Sequence, residues 1–199
     1  MSSPKGSAPQ RVGVLAVQGD YEAHGAVLER AGAEVIFVRT VAGMAGVSAL
    51  VLPGGESTTQ LQFLREEGLD KAITDFANGG GPILGTCAGA ILMAREVLNP
   101  PQKSLALTDI VVARNAYGRQ LASEVREGPS MLNGHPLEMV FIRAPTIEKV
   151  GPSVKVLAKS RGKPVLIRQG NMIAATFHPE LTSDLTVHEY LLNLARKRK

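Results

Sequence analysis

Cys87 is the only cysteine among 199 residues, and it stands between two glycines in Gly85-Thr86-Cys87-Ala88-Gly89. The apolar pair Ile83-Leu84 before it reads as a buried strand, and the run Ala90–Val97 after it reads as a helix. A nucleophile elbow has this strand–turn–helix context, here with Cys where a hydrolase carries Ser. Glycines two residues before and two after the nucleophile relieve crowding in such a turn. The helix N-terminus behind it favours a thiolate and offers backbone N–H groups to a developing oxyanion. A lone Cys is most often a buried apolar thiol, but that reading leaves both glycines unexplained. A Cys nucleophile needs a base, and the base needs an orienting acid. Of four histidines, His135 falls in a polar Gly/Pro segment and His188 in the terminal helix, which places both at the surface; the others are His24 and His178. His178 follows a strand, where the sites of open α/β sheets gather. Glu180 comes two residues later, so on extended backbone it faces the same way and can hold the imidazole. The expected triad is Cys87, His178 and Glu180.

The elements that must position these groups alternate as strand and helix. Arg11-Val-Gly-Val-Leu-Ala-Val17 reads as a first strand ending in Gln18-Gly19-Asp20, with Asp20 capping a helix over Tyr21–Ala31 and Gly32 closing it. Glu34–Val38 is a second strand, so a parallel sheet is expected. Ser48–Leu52 is a third, ending in Pro53-Gly54-Gly55-Glu56-Ser57-Thr58-Thr59, where Ser57, Thr58 or Thr59 caps the next helix. This loop lacks the Gly-Lys-Ser/Thr ending of a phosphate-binding loop. A helix through Ala72–Ala77 leads to Gly79-Gly80-Gly81-Pro82. Past Val97, Leu107–Ala113 is a strand, Ser123–His135 a polar surface excursion, and Leu137–Ile142, Val154–Ala158, Val165–Arg168 and Met172–Thr176 are strands whose close succession suggests antiparallel pairing. A terminal amphipathic helix spans Val187–Ala195. The expected fold class is α/β, a three-layer α/β/α sandwich with a mostly parallel central sheet and added antiparallel strands. Residues 1–10 read as a disordered leader and 11–199 as a single domain.

Composition narrows the function. The net charge is +4, but Arg196-Lys197-Arg198-Lys199 supplies all of it. Tryptophan is absent and aromatics make up 4% of the chain, too few to stack bases, so nucleic-acid binding is not expected. No apolar stretch is long enough to cross a membrane. A single cysteine suits a reducing cytoplasm. No His/Cys cluster has metal-ligand spacing, and no dinucleotide fingerprint follows the first strand.

Pro53-Gly-Gly-Glu-Ser57, Gly85-Thr-Cys-Ala-Gly89 and His178-Pro-Glu180 resemble the motifs of class I (triad) glutamine amidotransferases. Within that superfamily, Val17-Gln-Gly-Asp20, Arg114-Asn-Ala-Tyr-Gly-Arg-Gln120, Phe141-Ile-Arg-Ala-Pro145 and Phe177-His-Pro-Glu-Leu-Thr182 resemble the glutaminase subunits of pyridoxal 5'-phosphate synthase. The likeness runs from about Val12 to the C-terminal helix. It implies a glutaminase of the vitamin B6 route that works without a cofactor of its own. Cys87 would attack the carboxamide of L-glutamine, with N–H groups of Ala88 and the Gly54-Gly55 loop as the oxyanion hole. Gly55, Glu56, Ser57, Arg114, Ile142 and Arg143 would line the substrate pocket. An Arg suits the α-carboxylate and an acid the α-ammonium, without settling which residue serves which group. The partner implied is a (β/α)₈-barrel synthase subunit that receives the ammonia, with Gln18 to His24 in the part that faces it. In this family the isolated glutaminase is poorly active and docking completes the oxyanion hole. The chain departs from the family pattern at Ala23 and at Ser123-Glu124-Val125, away from the triad. Three rivals stay open: a glutaminase serving another acceptor, such as imidazole glycerol phosphate synthase; a non-catalytic partner-binding module; and a cysteine peptidase or chaperone-like relative.

Overall fold

In the computed structural model, which describes residues 9–114 and 123–198, Arg11–Leu15 forms the first strand (β1). Its side chains divide between two faces, as period-two backbone requires. Val12 and Val14 join one apolar cluster and Leu15 another. The chain continues through Tyr21–Arg30 (α1), Glu34–Val38 (β2), Ala49–Leu52 (β3), Ser57–Glu66 (α2), Leu69–Asn78 (α3), Ile83–Thr86 (β4) and Ala88–Met93 (α4). Its second half holds Ala94–Leu98 (β5), Thr108–Ala113 (β6), Glu124–Gly128 (β7), Leu137–Phe141 (β8), Thr146–Val150 (β9), Lys155–Ser160 (β10), Lys163–Gln169 (β11), Met172–Ala175 (β12) and Thr186–Arg196 (α5).

Seven strands make the central sheet in the order β10-β11-β12-β4-β3-β1-β2. From β12 to β2 neighbours run parallel, while β10–β11 and β11–β12 are antiparallel. In β3, Ala49 and Val51 face one cluster with Leu28 of α1 and Leu191 of α5. Leu50 and Leu52 face the other, with Leu61 and Leu64 of α2, Ile73 of α3 and Leu92 of α4. Apolar residues on both faces are what a parallel sheet covered by helices on each side demands. The three-layer α/β/α sandwich expected from the sequence is therefore observed. A smaller sheet, β5-β6-β9, packs over Ala90 and Ile91 of α4, and β7 pairs with β8.

Several local expectations are corrected. The helix after the elbow stops at Met93, and Ala94–Leu98 instead pairs in parallel with β6. Within the polar stretch Ser123–His135, Glu124–Gly128 is a strand held by β8. His188 is fully buried, whereas His135 is exposed as expected. Asp20 precedes α1 but its side chain makes no capping bond. Helix α2 is capped by Glu56, whose carboxylate accepts the backbone N–H groups of Thr58 and Thr59, rather than by Ser57, Thr58 or Thr59. Residues 1–8 of the expected leader over 1–10, and the segment 115–120, lie outside the described residues. Among the described residues, no helix is long and apolar enough to cross a membrane.

Candidate active site

The carboxyl ends of β1, β3, β4 and β12 converge on one cleft, where ligands of open α/β sheets bind. Its volume is about 500 Å³, and Gln18, Asp20, Gly55, Cys87, Arg114 and His178 are among its lining residues. Cys87 sits between β4 and α4 with φ +46° and ψ −102°, a conformation that L-residues rarely adopt. Its N–H is bonded to the Ala175 carbonyl at 2.9 Å, and its carbonyl accepts the Ile91 N–H at 3.2 Å. Those two bonds tie the strained residue to the neighbouring strand and to the helix. The flanking glycines are steric requirements: a Cβ on Gly89 would run into the Leu52 carbonyl, and one on Gly85 into Gly89.

The structure brings all three expected catalytic residues together. His178 follows β12 and heads the short turn Pro179–Leu181. Its Nδ1 lies 2.7 Å from Glu180 Oε1, which leaves Nε2 free to interact with Cys87. Both His178 and Glu180 are buried. Burial by itself would lower the imidazole pKa. Hydrogen bonds to Cys87 and Glu180, and their negative charges, overcome it and push His178 up to about 10. Burial raises Glu180 above the ordinary carboxylate range, against the hydrogen bond and charge of His178. The Sγ of Cys87 also lies 4.0 Å from the Ile142 carbonyl oxygen.

The expected substrate residues line the same cleft, with one rearrangement. Glu56 is engaged on both oxygens: Oε1 accepts from Thr58 N (3.1 Å) and from Arg114 Nη2 (3.2 Å), and Oε2 from the Thr59 N–H and hydroxyl, each at 2.7 Å. Slight burial raises this carboxyl, but the Thr59 and Thr58 hydrogen bonds dominate and hold it at about 2. Arg114 therefore grips the loop that follows β3, donating also to Thr58 Oγ1 at 3.1 Å. Ser57 is buried and donates to Gln102 Oε1 at 3.0 Å. Arg143 sits at the rim with φ +45°, next to Ile142. Gly54 backs the triad, and a side chain there would collide with the His178 ring.

Sequence reasoning missed three contributors. Asp20, read as a helix cap, turns its Oδ2 to within 3.5 Å of His178 Nδ1. Asp20, His178 and Glu180 thus gather their ligand atoms within 4.8 Å of one another, a cluster that no sequence spacing announced. Gln18 accepts the Glu56 N–H through Oε1 at 2.7 Å, and buried Gln60 donates to the Gln18 carbonyl at 3.0 Å. Gln60 had a readable signal, since Gln60, Leu61 and Leu64 recur at helical spacing on one face.

A strained cysteine, a buried His–Glu pair and a capped glycine loop at the mouth of one parallel sheet agree with what whole-chain comparison finds. The model of the SNO glutamine amidotransferase family matches residues 14–197. The chain belongs to that family. The amidotransferase is 52% identical over 186 residues to the pyridoxal 5'-phosphate synthase subunit PdxT of Koribacter versatilis (strain Ellin345), covering 94% of this chain and 96% of that one. It is also 52% identical over 190 residues to the PdxT of Solibacter usitatus (strain Ellin6076), covering 92% and 98%. A solved glutamine amidotransferase superposes with a TM-score of 0.88 at 42% identity, covering 93% of this amidotransferase and 98% of the other chain.

Proposed function

We propose that this amidotransferase is the glutaminase subunit of a pyridoxal 5'-phosphate synthase, a single domain that hydrolyses L-glutamine in the cytoplasm, where its one thiol stays reduced. The observation that carries the mechanism is Cys87 in its strained elbow, in one cleft with a His178 that Glu180 holds at 2.7 Å. The relatives named PdxT support the route served.

At neutral pH the high pKa of His178 favours an imidazolium beside a Cys87 thiolate. The sulfur attacks the side-chain carboxamide carbon of glutamine. The oxyanion forms against the Ala88 N–H at the start of α4 and an N–H of the Gly54-Gly55 loop. His178 gives its proton to the departing nitrogen, ammonia leaves, and a γ-glutamyl thioester remains on Cys87. His178, now neutral, takes a proton from water, which attacks the thioester and releases glutamate. Glu180 holds the ring so that the same nitrogen serves both steps. Among Gly55, Glu56, Ser57, Arg114, Ile142 and Arg143, the two arginines supply positive charge for the α-carboxylate. Arg114 is already paired with Glu56, which leaves Arg143 the freer of the two. The ammonia passes to a (β/α)₈-barrel synthase subunit docked over the cleft.

The test is glutamate release from L-glutamine with and without the synthase subunit. Release should rise on addition of that subunit and disappear in Cys87→Ala. No release in either condition would sink the glutaminase reading.

A further inference from the structure

Two buried histidines take no part in the chemistry above, and both lie behind it. His24 on α1 and His188 on α5 are 0% exposed. His24 Nδ1 is 2.9 Å from His188 Nε2. The other nitrogen of His24, Nε2, is 3.0 Å from Thr86 Oγ1 and 3.2 Å from Glu180 Oε2. Glu180 Oε2 is buried and makes no formal hydrogen bond among the described residues; its 3.2 Å approach to His24 Nε2 is the polar contact open to it, while Oε1 is taken by His178. A continuous line therefore runs from Cys87 through His178, Glu180 and His24 to His188.

Proton counting decides the tautomers. Burial lowers both histidines, His24 well below its ordinary value and His188 to about 4, so each ring is neutral and carries one N–H. The Nδ1 of His188 is buried without a partner among the described residues. A proton there would be an orphaned donor, so it belongs on Nε2, which donates to His24 Nδ1. The proton of His24 must then sit on Nε2, facing Thr86 Oγ1 and Glu180 Oε2. The reverse tautomers would aim a bare nitrogen lone pair at a carboxylate. We propose that His24, fixed by His188 as its Nε2–H tautomer, is a positioning residue that holds the second oxygen of Glu180 and so keeps the triad acid aligned on His178. Thr86, one residue before Cys87 and fully buried, shares that N–H and ties the same line to the elbow. After burial, Asp184 raises and Arg30 lowers the pKa of His188, while His188 and then His178 lower that of His24.

The proposal rests on the glutaminase reading for its kinetic arm, so the test carries a second arm that does not. In the isolated chain, ¹⁵N-histidine NMR at pH 7 should show His24 and His188 both neutral and both protonated at Nε2. A His24 that is charged, or protonated at Nδ1, would overturn the proposal. In the complex with the synthase subunit, His24→Met should lower kcat for glutamine tenfold or more with KM within twofold. It should slow alkylation of Cys87 by iodoacetamide by a similar factor. His24→Gln, which keeps an N–H at the reach of Nε2, should recover most of both. His188→Met should show a smaller loss, and none beyond that of His24→Met in the double variant. A folded, synthase-bound His24→Met with wild-type kcat, or a His24→Gln as impaired as His24→Met, would also overturn it. If the wild-type complex releases no glutamate while the tautomers and the alkylation rates are as expected, the glutaminase reading falls and this one stands.

Discussion

At the residue scale the proposed chemistry turns on one short bond between neighbours in sequence. His178 and Glu180 are two residues apart, and their 2.7 Å contact needs only a stiff backbone at Pro179. The contact could be read from the sequence for that reason. The carboxylate supplies charge as well as orientation, because the high pKa of His178 depends on it and on Cys87. Replacing Glu180 by Gln keeps the shape and removes the charge. The expected result is a fall in kcat of roughly 100-fold or more, as a triad that loses its acid predicts, with the His178 pKa dropping from about 10 towards its ordinary value. Glutaminase kinetics across pH would measure both, and a kcat within twofold of wild type would contradict the assigned role. Asp20 was less legible. Its type suits a helix cap, and only the tight approach of Gly19 to the Gly54 carbonyl turns the chain so that its carboxylate faces His178.

Capping and pairing decide the details at the element scale. Glu56 occupies the cap of α2 and binds Arg114 across the cleft. A serine or threonine nearby satisfied the sequence pattern equally well, and nothing local distinguished them. Glu56→Ala should therefore destabilise the chain by about 1 kcal/mol, the worth of a lost cap. That is a fall in Tm of about 2–4 °C for a chain of this length, readable by thermal unfolding. Because the variant also removes the ion pair of Arg114, leaving its bond to Thr58, KM for glutamine should change too, and an unchanged Tm would remove Glu56 from its cap. The segment Ala94–Leu98 teaches the same lesson. By propensity it continues a helix, but Ala94 and Val97 are buried while Arg95 and Glu96 are exposed, and β6 offers it a ladder. The partner strand, invisible to a local pattern, outweighs propensity. His188 is a different case, because a signal existed. His188, Leu191, Leu192 and Ala195 recur at helical spacing, and that spacing put the imidazole on the buried face of α5.

For the whole molecule, buried histidines of opposite character shape the stability. His188 titrates at about 4 in the folded chain against an ordinary 6.5, and His24 is shifted the same way. Below pH 6.5 the unfolded chain binds protons that these buried rings refuse, so stability falls with falling pH. His188 alone accounts for about 3 kcal/mol by pH 4, at about 1.4 kcal/mol per unit. Burial raises Glu180, which opposes this trend with one proton against two. His178 works from the other side. Its folded pKa, about 10, lies above 6.5, so its contribution is complete below pH 6.5 and is lost as pH rises through about 10. Urea unfolding from pH 4.5 to 9.5 should thus show a maximum near pH 6.5–7 with losses on both sides. Stability that holds level from pH 7 down to 4.5 would mean that His24 and His188 are not buried as neutral rings.

The sequence by itself determined what depends on near neighbours. The glycines around Cys87, the strand ends carrying Cys87 and His178, the His178–Glu180 spacing and the apolar strands of a covered parallel sheet all show as patterns within a few residues, even where the group avoided, such as the Leu52 carbonyl behind Gly89, is distant. Period, steric size and residue type are enough to set those. Only the tertiary structure decided which distant groups meet. His24 and His188 are 164 positions apart, and Ser57 reaches Gln102 across 45. Each such pair follows from strand order and helix packing, so a residue whose own neighbourhood reads as ordinary helix comes to lie against the triad.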